Sequence, residues 1–258
     1  MLAKIGSNVR TKVQSVLYGL GFFFNVLKET VRFFRRSQVG YKVLIMQILF
    51  TGFEALTISA VMAVAIGAAI NVIGSSLLPQ FGQSQLMYTI LIIVITKELG
   101  PLLTAFVITA RSGTAIATEL GTMVVHHEIE AYLATGLNPI SYLVVPRFIG
   151  VVTSMVILTL YFNFFGLLGS FLVVEVIKPI PIMEYLTNLL GALKLGDLLW
   201  GIAKAFVFGV VVSVVSTYQG FSVNRASTEI PVAGIRAVGQ SIMLIIVADV
   251  FVILMQYA

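Results

Sequence analysis

Between Glu54 and Lys97 the chain runs for 42 residues without a charged side chain. A helix crossing a bilayer needs roughly 20 apolar residues, each rising ~1.5 Å. This stretch is too long for one crossing and suits two. The segment SSLLPQFGQSQ at 75–85 places turn chemistry in its middle. The spacing predicts one helix over about 46–74 and a second starting near 84. Composition agrees: 59% of the 258 residues are hydrophobic and 10% charged, against about 25% charged in a soluble domain. A soluble enzyme, a disordered chain and a collagen-like chain are all excluded.

Three more spans follow. Asn138-Pro139 suits a helix start and opens a span over about 140–174, with 27 uncharged residues from Phe148 to Val174. The proline-punctuated stretch 175–197 reads as an outer loop with a short helix. A fourth span covers about 196–221, and a fifth about 234–257, interrupted by Arg236 and Asp249. The expected fold is an all-α integral membrane protein with five transmembrane helices, the permease-like part being 43–258.

Residues 1–42 form a separate arm. Eight of the 16 basic residues lie there. Val13, Leu17, Leu20, Phe24, Leu27, Val31 and Phe34 recur at spacings of four and three, which is one helical face, with Lys28, Arg32 and Arg35 on another. Such a helix lies in the headgroup plane. The alternative is a core helix of a small soluble domain, for which no other soluble sequence exists. The basic excess follows the positive-inside bias and needs no nucleic acid. It places the arm in the cytoplasm, loops 75–85 and 175–197 outside, loops 111–138 and 222–236 inside, and the C-terminus in the periplasm. The apolar patch 17–24 is too short for a signal peptide and lacks a cleavage motif.

Enzyme motifs are missing from the sequence. There is no cysteine and no P-loop, H-E-x-x-H or G-x-S-x-G pattern. His126 and His127 are neighbours, and neighbours on a helix diverge by about 100°. The chain is expected to perform no covalent chemistry and to hold no metal or cofactor.

The informative stretch is 97–123, KELGPLLTAFVITARSGTAIATELGTM. Glu98 lies about 14 residues into the second span, roughly 21 Å along a helix. A charge at that depth is expensive. Pro101 cannot donate to the carbonyl of Lys97, so the helix should bend or open there. Lys97 and Glu98 then either line a cavity or form a structural pair. Gly113, Ala117 and Gly121 form a small-residue ladder, as do Ala63 and Gly67, and such ladders allow close helix approach. Residues 121–139 read as a short amphipathic helix with Ile129, Tyr132, Leu133 and Leu137 on one face. A soluble partner grips it, or it lies on the membrane.

The run ELGPLLTAF…ARSGTAIATELGTM…EIEAYLATGLNPISYLVVPR over 98–147 resembles the signature of the MlaE/YrbE-type permeases, the membrane subunits of lipid ABC transporters that work with MCE-domain proteins. The resemblance implies a homodimer in the bacterial inner membrane, each protomer carrying an interfacial N-terminal helix and five spans. It implies that ATP and Mg are bound by a separate pair of ABC ATPase subunits. A hexamer of MCE domains on the outer face would exchange phospholipid with the permease, and a small STAS-domain regulatory subunit is a further expected partner. The lack of a transit peptide points to a bacterium rather than a plastid.

The resemblance also assigns residues. A coupling helix over about 119–137 carries Glu119, Thr122, Met123, Glu128, Glu130, Tyr132 and Leu133. Lipid binding falls to Lys97, Glu98, Leu99 and Arg236, with Ile70, Leu78 and Phe81 in the apolar wall. The family usually has Arg where this chain has Lys97, and Lys lacks the planar fork that grips a phosphate. Two other classes compete: a secondary transporter using Glu98 and Asp249, and a non-transporting scaffold. The absence of a proline-broken inverted repeat counts against the first.

Overall fold

The computed structural model describes residues 17–33, 41–81, 86–177, 181–224 and 226–257, and every regular element among them is helical. Five helices are long and apolar enough to cross a membrane: Lys42–Leu77, Leu86–Val125, Ile140–Val173, Leu195–Phe221 and Glu229–Gln256. They are the first to fifth spans. They alternate in direction, so the bundle has an arm end, where the chain turns between Val125 and Ile140, and a far end, where it turns between Leu77 and Leu86.

The third span is the centre of the bundle. Its apolar window is 72% buried, against 22% for the first span and 17% for the fifth. The first span packs on the third, the fourth on the second, third and fifth, and the fifth also on the second. Small residues make these contacts close. A Cβ on Gly67 would collide with the carbonyl of Gly166, and one on Gly169 would sit 2.6 Å from the Cα of Val64. The expected ladder on the second span is used against the fourth and the turn that follows it: Gly113 faces Ser216, and Gly121 faces Val223, two residues past the fourth span. A Cβ on Gly220 would fall 2.9 Å from the Ala117 carbonyl.

Pro101 does not break the second span. A π-helical segment, Ile93–Leu99, precedes it, and the Gly100 amide reaches back to the Ile95 carbonyl. The wider turn absorbs the missing amide hydrogen of proline. A second π-helical segment, Thr109–Gly113, follows. The span then continues to Val125, past the expected start of the coupling helix at 119, because Leu120 still packs on Gly220 of the fourth span and Gly121 on Val223 just beyond that span's end. The chain breaks only at His127, which adopts φ 60°, and a short exposed helix follows, Glu128–Ala134. The expected single helix over 119–137 is therefore two elements with a left-handed corner between them.

The arm helix, 17–33, docks on the arm end. Val26 is fully buried in a cluster with Val144, Phe148 and Val152. The Phe22 ring lies 5.8 Å from that of Tyr218. Ser141 donates a 2.6 Å hydrogen bond to the Glu29 carboxylate and, as the main cause, holds that group below the usual carboxylate range. The face toward the protein is thus Phe22, Val26 and Glu29. Leu17, Leu20, Phe24 and Val31 of the predicted apolar stripe point outward, 50–65% exposed. Val13, Phe34 and Arg35 lie outside the described residues. An apolar stripe turned away from the protein suits a lipid surface, and a buried soluble core is not what this helix builds.

At the far end a short helix, Ile182–Ala192, caps the second and third spans. Tyr185 anchors it, its ring 5.7 Å from Tyr88 and 5.2 Å from Phe171. Burial pushes the Tyr185 hydroxyl above its ordinary range.

Candidate functional site

Five charged side chains meet inside the far half of the bundle. Lys204, on the fourth span, is fully buried. Its Nζ lies 2.5 Å from Glu98 Oε2 on the second span and 2.9 Å from Asp249 Oδ1 on the fifth. Beside this triad, Lys97 Nζ is 3.2 Å from Asp197 Oδ1 of the fourth span. Counting ~1.5 Å per residue from the far ends of their spans, Glu98 is about 18 Å deep, Lys204 about 14 Å and Asp249 about 11 Å. All three belong to the depth where water is scarce. Charges survive there only by pairing.

Lys97 and Glu98 do not pair with each other. Consecutive helical residues point about 100° apart and cannot meet. Lys97 turns to Asp197 and Glu98 to Lys204, so two adjacent residues of one helix grip two sites on another. Asp249 joins Glu98 through Lys204, which sits between the two carboxylates. Lys204 lies about eight residues inside the expected fourth span, immediately before the uncharged run 205–224, and was not singled out there. Its signal was there: Asp197 and Lys204 are seven residues apart, two helical turns, hence on one face.

The other proposed lipid contacts are dispersed. Leu99 follows Glu98 in the chain and is half-buried. Ile70 is half-buried against a cluster that includes Ala63, Leu91 and Ile95. Leu78 is half-buried and opens the 3-10 turn Leu78–Phe81, which Phe81 closes. Arg236 is exposed, two residues on from Gly234, which packs on Thr114 and Thr118 on the opposite side of the helix. It is about 20 Å along the helix from Asp249. The structure does not bring Arg236 to the charge cluster.

The candidate coupling residues gather at the arm end. Glu119, Thr122 and Met123 occupy the last turns of the second span, while Glu128, Glu130, Tyr132 and Leu133 lie on the short helix. Glu119 Oε1 is 2.7 Å from Arg147 Nη2 of the third span. Thr122 spends its hydroxyl on the Thr118 carbonyl, 2.9 Å away. Met123, Ile129 and Tyr132 pack against the main core cluster. The Tyr132 ring lies 5.4 Å from Tyr142, and Glu130 Oε2 is 2.9 Å from His127 Nδ1. Glu128 and Leu133 face outward. A groove of about 530 Å³ opens between these elements, lined by Val124, Ile129, Glu130, Phe221, Val223 and Asn224. Among the described residues no three His, Asp or Glu side chains are grouped to hold a metal ion.

The arrangement has a polar, exposed grip at one end and desolvated, paired charges toward the other, joined by the second span. Comparison with known proteins gives it a family. The family described as permease MlaE matches residues 44–255. A probable ABC transporter permease protein of Rickettsia felis is 28% identical over 96% of this chain and 96% of its own length. One of Rickettsia typhi is 32% identical over 79% of this chain and 78% of its own. The chloroplastic protein trigalactosyldiacylglycerol 1 of Arabidopsis thaliana is 26% identical over 83% of this chain and 61% of its own. With five membrane-length helices and a family match over most of its length, the chain is a multi-pass membrane protein and belongs to the MlaE family of ABC transporter permeases.

Proposed function

We propose that this permease moves phospholipid between the bacterial inner membrane and an MCE-domain protein, toward or from the outer membrane, as a homodimer driven by a pair of ABC ATPase subunits. The observation that carries this reading is the charge cluster of Glu98, Lys204 and Asp249 set in the far half of an otherwise apolar bundle, next to the largely uncovered fifth span. Such a surface offers a lipid both of its needs: an apolar wall for acyl chains and fixed charges for a headgroup. The Arabidopsis relative carries a diacylglycerol glycolipid in its name, which supports a lipid substrate in the broad sense.

In this reading the arm end faces the cytoplasm. Glu128, Glu130, Tyr132 and Leu133 meet the ATPase, and Glu119, Thr122 and Met123 relay its movement up the second span. Lys97, Glu98 and Leu99, with Ile70, Leu78 and Phe81 as apolar wall, border the lipid path. Lipid passes to or from an MCE-domain hexamer on the outer face, and a STAS-domain subunit binds on the inner one. ATP and Mg stay with the partner subunit.

The test is native mass spectrometry of the chain purified with its co-expressed operon neighbours. Two copies with an ATPase pair and bound phospholipid is the expected composition. A lone, lipid-free chain that transports a solute on an ion gradient would overturn the reading in favour of a secondary transporter built on Glu98 and Asp249.

A further inference from the structure

Arg147 stands on the early turns of the third span with its side chain 5% exposed, while the side chain of its partner Glu119 is 53% exposed. Such a pairing is a poor way to stabilise a bundle. A buried guanidinium loses its hydration, and an apolar side chain of similar volume usually packs there at no loss. Arg147 is incompletely compensated as well: Nη2 meets Glu119, Nη1 donates to the Leu143 carbonyl at 3.3 Å, and Nε is buried without a partner. Leu143 belongs to a third π-helical segment, Ile140–Val144, whose wider turn leaves carbonyls available. What this pair supplies is a fixed relation. A planar fork holds one arm on the end of the second span and the other on the third span's own backbone.

We infer that Arg147 is the positioning residue that ties Glu119 to the third span, so that displacement of the helix Glu128–Ala134 is delivered to the centre of the bundle. This rests on the coupling reading above and names the part it lacks. Glu119 lies six residues before Val125, on the same rigid helix that leads into the His127 corner and the exposed short helix. A push on that helix turns the end of the second span. Arg147 passes the turn to the third span, which packs against both the first and the fourth. The Tyr132–Tyr142 ring contact is a second, softer link along the same route.

The experiment uses the permease co-expressed with its ATPase partner and reconstituted into phospholipid vesicles. Lipid transferred per ATP hydrolysed is read in one sample, with assembled complex quantified beside it. Arg147→Met is expected to lower that ratio about tenfold per assembled complex. Arg147→Lys should restore part of it. The double variant Arg147→Met/Glu119→Gln should be no worse than Arg147→Met alone, because the tie is already lost in the single variant and Glu119 is half-exposed. An undiminished ratio in Arg147→Met, or a loss explained fully by loss of assembled complex, overturns the inference. Tyr132→Ala separates the two layers. If it uncouples while Arg147→Met does not, only the role of Arg147 falls; if neither uncouples, the coupling reading falls with it.

Discussion

The third and fifth spans are equally apolar to the eye, yet they do opposite things. The third is 72% buried and touches most of the bundle, whereas the fifth is 17% buried. On the third, Gly166 and Gly169 admit the backbone of the first span, and Asn163, Ser170 and Thr159 are buried among its neighbours. On the fifth, Met243, Val247, Val250, Phe251 and Leu254 all face outward. In water such a face would aggregate. In lipid it costs nothing, because acyl chains solvate leucine as well as leucine does. The distinguishing mark of the structural helix is therefore its small and polar residues. Hydrophobicity is common to both and separates nothing.

That contrast can be broken by substitution. The largest effect is expected at the glycine seam: Gly67→Leu drives a side chain into the Gly166 carbonyl, where only backbone movement could relieve it. Loss of the folded protein, or a drop of at least about 3 kcal/mol, is expected in detergent unfolding. Val247→Ala, on the bare face of the fifth span, should leave the protomer's unfolding curve within about 0.5 kcal/mol of the parent. A seam variant as stable as the parent would erase the distinction.

The next effect tests whether the fifth span is held by charge where it lacks apolar burial. Lys204→Met leaves the half-buried Glu98 and Asp249 without their cation at membrane depth and should cost about 3 kcal/mol. Adding Glu98→Gln and Asp249→Asn to Lys204→Met should recover most of that loss, since no uncompensated charge then remains at that depth. Equal stability of the single and triple variants would mean that the carboxylates are solvated in the protomer.

The smallest effect belongs to the arm. Ser141→Ala removes the hydroxyl that holds Glu29, for a loss of about 1 kcal/mol in arm docking, read by proteolysis between arm and bundle. The sign of its pH dependence follows from the lowered Glu29 pKa. The contribution is complete above the unfolded carboxylate value of 4.5 and fades as pH falls through the lower folded value. Protection that strengthens on acidification would contradict the bond.

Much of this protein can be read before it folds. The five spans come from runs of uncharged residues, because the bilayer thickness fixes how long an apolar helix must be. The ladder of Gly113, Ala117 and Gly121 announces close packing, because only small side chains let two backbones approach. The cost of burying Glu98 announces a partner. Which partner was not legible. Lys97 is the nearest cation in the chain, but helical geometry points it elsewhere, and Lys204 arrives from 106 residues away. The corner at His127 was also hidden, since the helix before it persists on contacts with Gly220 and Val223 that no local pattern reports. Arg147 reads as one more charge beside an interface until its burial and its hold on Glu119 are seen.

What the sequence alone determined was number: five crossings, a basic arm, a charged exception in the second span. These follow from solvation, which acts on each residue where it stands. Only the tertiary structure decided the pairings, the central place of the third span and the open face of the fifth. They depend on which helix lies beside which, and the same apolar side chain is equally content against lipid or protein.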